Sequence, residues 1–135
     1  MPKVLLLSFA ILACGVAAAL ACEGQARIAF DKPAVLEGVL KSGKGTHEAQ
    51  GEFSYVYVEL DKPVCVDAPP AAEANNEDAV QSIEAPVTRV QLAGEAVGTD
   101  LPIGKHVAVE GTLFAAHTMW HAEEALIDAS EVKQR

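Results

Sequence analysis

Two short stretches of this chain share one pattern, apolar-Glu-Gly-x-Leu: Leu36-Glu37-Gly38-Val39-Leu40 and Val109-Glu110-Gly111-Thr112-Leu113. Each lies inside a run of strand-forming residues. A glycine in mid-strand marks a bulge, a tight bend or a backbone passing close by. One such strand early and another late are what a small sheet needs in order to curl shut. The chain's 135 residues allow one small domain around that sheet and leave no room for two.

Strand signals recur at Ala34–Lys41, Phe53–Leu60, Val87–Ala93 and His106–Phe114, each bounded by Gly or Pro. Val64-Cys65-Val66 extends the second run past the breaker Pro63. The last segment, Ala122–Val132, mixes the strand formers Leu126 and Ile127 with Glu123, Glu124, Ala125 and Ala129, which suit a helix. A fifth strand is needed to complete the sheet, so this segment is read as a strand. Gly94, Gly98, Pro102 and Gly104 confine the preceding connection to a short helix or turn. The fold predicted is all-β: a small five-stranded OB-like Greek-key barrel with a short helix or turn between strands three and four. A small open sandwich is the alternative. Ser42–Gly51, with Gly43, Gly45 and Gly51, is read as a plain strand connection without P-loop spacing. Residues 67–85 carry five acids and no Lys or Arg, and are read as a solvated, mobile loop without EF-hand spacing.

The N-terminus reads as an export signal. Lys3 supplies a basic start, Val4–Leu20 is almost unbroken apolar sequence, and Ala19-Leu20-Ala21 offers small residues at the cleavage positions. Residues 1–21 are therefore assigned to a signal peptide and 22–135 to a single domain. Cleavage discards Cys14 and leaves Cys22 and Cys65. In an oxidising compartment two cysteines most simply form one disulfide. Bridging positions 22 and 65 would restrict the unfolded chain by about 4 kcal/mol in the loop-entropy model. The alternative is a lipoprotein in which Cys22 is acylated, since Ala19-Leu20-Ala21-Cys22 is similar to a lipobox with Ala where Leu is preferred. The expected location is periplasmic or secreted, with no membrane attachment unless Cys22 is lipidated.

The formal charge of −9, which loss of Lys3 deepens by one, argues against a nucleic-acid partner, because such partners are held by clustered Lys and Arg. Neither Ser54 nor Ser82 sits in a G-x-S-x-G elbow. The bridge would leave no free thiol. The expectation is a non-enzyme without a cofactor, acting on an unknown small ligand or an exported protein.

Two constellations are candidate sites. His117-Thr118-Met119-Trp120-His121 follows the fourth strand, with Glu123 and Glu124 beyond. Two imidazoles four apart can share a cation, periplasmic copper or zinc, with Met119 a soft ligand favouring Cu(I); the alternative is a pair of exposed loop histidines with no ligand role. His47 and His106 would supplement the site only if folding brings them near. The second constellation is the aromatic stripe of the second strand. Alternation puts Phe53, Tyr55, Tyr57 and Glu59 on one face and Val56, Val58 and Leu60 on the other, which is assigned to the core. Tyr55, Tyr57 and Trp120 are the candidate ligand contacts; the alternative is that the tyrosines pack beneath the acidic loop or the N-terminal arm.

Taken together, Val35-Leu36-Glu37-Gly38, Tyr57–Val66, Val90-Gln91-Leu92 and Gly104–Phe114 with His117, Thr118 and His121 resemble a small exported bacterial family, the domain of unknown function 4431. The resemblance runs from about Val35 to Ile127. Its most specific parts are L-x-K-P-x-C-V and G-K-x-V-x-V-x-G-T-L-F. It implies a secreted OB-like β domain with a structural cysteine at position 65, and no established activity.

Overall fold

The computed structural model describes residues 21–70, 79–98 and 100–135. They form six strands: β1 (Ala26–Ala29), β2 (Pro33–His47), β3 (Gly51–Asp67), β4 (Val87–Ala93), β5 (His106–Ala115) and β6 (Ala125–Gln134). β2, β3 and β4 run as an antiparallel meander. β4 then pairs in parallel with β6, β6 antiparallel with β5, and β5 antiparallel with β2, which closes the ring. The result is the closed five-stranded all-β barrel that the strand pattern predicts. β1 lies outside the ring, parallel to the end of β3. No strand signal had marked it, because four residues are too few for alternation to show.

The ambiguous last segment is a strand, with Leu113 opposite Ile127 in the β5–β6 register. Between β4 and β5 the chain makes turns, and Gly94 (φ 91) and Gly104 (φ 84) take the left-handed conformations there. β3 continues through Pro63 to Asp67, as the Val64-Cys65-Val66 extension implies. Its register against β4 shifts between Glu59 and Val64, at the irregular place where a strand proline is tolerated.

Both patterned glycines sit where neighbouring backbones converge. A Cβ on Gly38 would fall on the Glu59 carbonyl of β3, and one on Gly111 on the Asp128 carbonyl of β6. Beside Gly111 the β5–β6 register skips Ser130, a bulge in β6, and the Ser130 hydroxyl donates to the Glu110 carbonyl at 3.1 Å. The barrel interior is filled by Leu36 and Leu40, Val58 and Val66, Val90 and Leu92, Val107, Val109 and Leu113, and Ile127, with Phe30 from the β1–β2 turn in the same cluster. Each such side chain contributes about 1.5–3 kcal/mol on burial.

The stretch at Ser42–Gly51 differs from expectation. It is a strand ribbon: β2 runs on to His47, β3 begins at Gly51, and only three residues turn between them. Gly43 faces Tyr55 and Gly45 faces Phe53 across the register, and the two rings lie over the glycine Cα positions. Cross-strand aromatic cover compensates for the side chain that a strand glycine lacks. At the tip, His47 Nδ1 accepts hydrogen bonds from the Ala49 and Gln50 amides.

Cys22 and Cys65 form a disulfide, with Cα atoms 5.9 Å apart, tying the N-terminal arm to β3 beside β1. A Cys22 bridged in this way has no free thiol to carry a lipid. The signal-peptide assignment at 1–21 falls almost wholly outside the described residues. Among the described residues no helix is long and apolar enough to cross a membrane. The acidic segment 67–85 is described at its ends only, where Ala68 N donates to Ser82 Oγ and Ile83 N to the Val66 carbonyl.

Candidate functional site

The outer face of β3 carries the aromatic stripe, because alternation commits Val58 to the core and leaves Phe53, Tyr55 and Tyr57 pointing outward. Neighbouring rings follow one another at 6.3 Å from Phe53 to Tyr55 and at 5.7 Å from Tyr55 to Tyr57. The residues 116–124, here termed the flap, lie over this face between β5 and β6. The Ala116 amide donates to the Glu124 carbonyl and closes the flap at its base.

One side chain of β4 holds the flap down. Gln91 Nε2 donates to the Trp120 carbonyl at 3.0 Å, and Gln91 Oε1 accepts the Ala122 amide at 2.7 Å and the Glu123 amide at 3.3 Å. Gln91 is 6% exposed, a buried polar group with its hydrogen bonds satisfied. Glu123 makes a second tie: its Oε1 accepts the Tyr55 hydroxyl at 2.9 Å and lies 3.2 Å from Arg89 Nε. That Nε is buried without hydrogen-bond geometry, so its link to Glu123 is an ion pair. The Arg89 guanidinium stacks 3.8 Å from the Tyr57 ring centre, and Nη2 donates to the Tyr55 oxygen at 3.4 Å. Burial, then the Glu123 carboxylate, pushes the Tyr55 phenol above its ordinary range, against an opposing pull from Arg89.

Of the three candidate ligand contacts, two are accessible and one is covered. Trp120 is 46% exposed and stands edge-on to Phe53, with ring centres 5.2 Å apart and planes at 87°. Its other neighbour is His47 of the ribbon tip, at 6.2 Å. Met119 beside it is 52% exposed. Tyr55 is half-buried beneath Glu123, whereas Tyr57 is 8% exposed under Arg89 and has no open ring face. Tyr55 thus packs beneath Glu123 of the flap and Tyr57 beneath Arg89 of β4.

The histidine pair is brought together, but by packing. The rings of His117 and His121 meet at 4.7 Å, nearly perpendicular, and both lie against Phe114. His121 Nδ1 accepts the amides of His117 at 2.9 Å and Thr118 at 3.2 Å, so its proton resides on Nε2. His117 Nδ1 donates to the Ala115 carbonyl at 3.1 Å, which leaves one lone pair, on its Nε2. Burial, then the neighbouring His117, lowers the His121 pKa. The pair therefore offers a cation one free nitrogen where the spacing suggested two. His106 pairs with Asp61 and His47 stands beside Trp120. Among the described residues no group of three or more His, Cys, Asp or Glu side chains is placed to hold a metal ion.

Arg89 and Gln91 were not among the sequence candidates. The signal for them was Thr88-Arg89-Val90-Gln91-Leu92, where alternation sets Arg89 and Gln91 on the face opposite Val90 and Leu92. An open groove of about 1110 Å³ adjoins the base of the flap and is lined by residues including Phe30, Ile83, Phe114, His117 and Glu124.

No curated protein and no solved structure matches the chain. The family described as domain of unknown function (DUF4431) matches residues 89–133. That is a shorter span than the Val35–Ile127 resemblance read from the motifs, and the L-x-K-P-x-C-V stretch around Cys65 lies outside it. Arg89, Gln91, Trp120, His121 and Glu123 all fall within it. The unit formed by β4, β5, the flap and β6 is thus what resembles the domain of unknown function (DUF4431).

Proposed function

We propose that this protein is an exported, non-enzymatic binding module that takes a small ligand or a segment of an exported protein on its outer barrel face. The contact surface is Trp120 and Met119 on the flap together with Phe53 and the half-buried Tyr55 on the ribbon. One observation carries this reading: two large apolar side chains stand half out of solvent on a loop that hydrogen bonds from Gln91 tie to the barrel. An ordered loop that presents a tryptophan and a methionine side by side to water has the form of a contact surface. The disulfide supports an oxidising location, periplasmic or secreted. The acidic charge leaves neutral sugars and peptides as the favoured ligand classes and disfavours polyanions.

The chain contains one tryptophan, so its emission reports on this surface alone. A panel of neutral oligosaccharides, acidic and basic peptides, and Zn(II), Cu(II) and Cu(I) is titrated against that emission. The reading expects saturable response to a sugar or peptide class, weakened about tenfold or more by Phe53→Ala, the scale of an aromatic contact residue. A response confined to the metals, or none at all, contradicts it.

A further inference from the structure

Gln91 belongs to β4, not to the exposed surface assigned to binding, yet three residues of the flap depend on it. Its carboxamide spends the donor end on the Trp120 carbonyl and the acceptor end on the Ala122 and Glu123 amides, reaching 29 to 32 positions along the chain. The two outer residues of that grip have their own tasks. Trp120 is the exposed aromatic, and Glu123 ties the flap to Tyr55 and Arg89. A short amide on a barrel strand has few rotamers in which all three bonds form together, so it fixes flap height and register at once. Lifting the flap would strand the amide on an otherwise aromatic face and leave its polar ends unpartnered, which disfavours the open position.

We propose that Gln91 is a positioning residue: through its three hydrogen bonds to the flap it sets where Trp120 stands on the outer face. This rests on the binding reading only for the meaning of that position, and the position itself is measurable without any ligand.

The test uses the full exported chain with two substitutions. Gln91→Met keeps the length and packing of the side chain and removes both polar ends. Gln91→Glu keeps the acceptor oxygens and removes the donor to Trp120. Amide hydrogen exchange is read at Ala122 and Glu123, and acrylamide quenching is read on Trp120. In Gln91→Met, exchange at both amides rises about tenfold, the scale set by the net worth of one hydrogen bond, while the barrel strands stay protected. In Gln91→Glu the two amides stay protected and only Trp120 quenching increases. The proposal is overturned if Gln91→Met leaves the two amides and Trp120 quenching as in the wild type. It is equally overturned if exchange rises throughout the barrel, since Gln91 would then support the fold as a whole. Should Trp120 loosen as expected while no sugar or peptide binds, the positioning role stands and the binding reading falls.

Discussion

The Tyr55 hydroxyl donates to Glu123 Oε1 at 2.9 Å, joining the ribbon of β3 to a flap residue 68 positions further along the chain. The bond crosses the outer face, not the barrel interior, and Arg89 reinforces it from β4. Three separate segments, the ribbon, β4 and the flap, therefore meet at one small polar knot with Trp120 at its edge.

That knot predicts an alkaline transition. Tyr55 holds its proton above the ordinary pKa of 10.0, chiefly through burial and then through Glu123. A group whose pKa is raised by folding contributes stability that is present below its unfolded value and lost as pH rises through the folded one. Absorbance titration at 295 nm should show a tyrosine component ionising above the ordinary range, and Tyr55→Phe should remove that component. The same substitution should cost about 0.5–1.5 kcal/mol at neutral pH, the net worth of a hydrogen bond.

The flap also predicts an acid-side effect of opposite sign. His121 is neutral because its Nδ1 accepts two amides, and burial followed by His117 lowers its pKa below 6.5. Its contribution is complete above the unfolded value of about 6.5 and is lost as pH falls through the lowered folded value. Urea unfolding at pH 7.5 and at pH 5 should give a smaller stability at the lower pH. In His121→Asn this difference should shrink; an unchanged difference would assign it to other groups.

Removing the disulfide should destabilise the domain by about 4 kcal/mol, the loop-entropy contribution expected for its separation of 43 residues. Cys22→Ser with Cys65→Ser should lower the urea midpoint accordingly. Amide exchange in β1 should rise first, because the bridge anchors the arm that carries it.

Closure of the barrel depends on two missing methyl groups. Gly38→Ala and Gly111→Ala each place a Cβ on a neighbouring carbonyl, Glu59 in one case and Asp128 in the other. Both should lower stability by about 1–3 kcal/mol, the range for inserting a methyl where the structure has no room. Gly98→Ala, at a position with open space around it, is the control and should leave the urea midpoint within a few tenths of a kcal/mol of wild type.

The barrel was readable because its signals are local. Alternation in Phe53–Leu60 separated core from outer face, breakers placed the turns, and the Glu-Gly pairs marked where neighbouring backbones come close. The ribbon was missed for the opposite reason: Gly43 and Gly45 look like loop residues until Tyr55 and Phe53 are seen across from them. The same holds at the site. Trp120 and His121 were visible by residue type, but the partners that define their roles lie on other elements, Gln91 for Trp120 and Phe114 for the histidines. The spacing of His117 and His121 showed that two imidazoles would meet, yet which nitrogen each has free is decided by backbone amides that spacing does not reveal.

The central claim is that ligands meet this protein on the outer face assembled from the ribbon and the flap. Proton–nitrogen correlation spectra of labelled protein, recorded with each member of the sugar, peptide and metal panel, test it most directly. The account predicts that a sugar or peptide moves resonances of residues 43–55 and 117–123 and leaves those of Val107 and Val109 in place. Shifts confined to the Phe30–Ile83 groove, or to His117 and His121 with a stoichiometric metal, would contradict it.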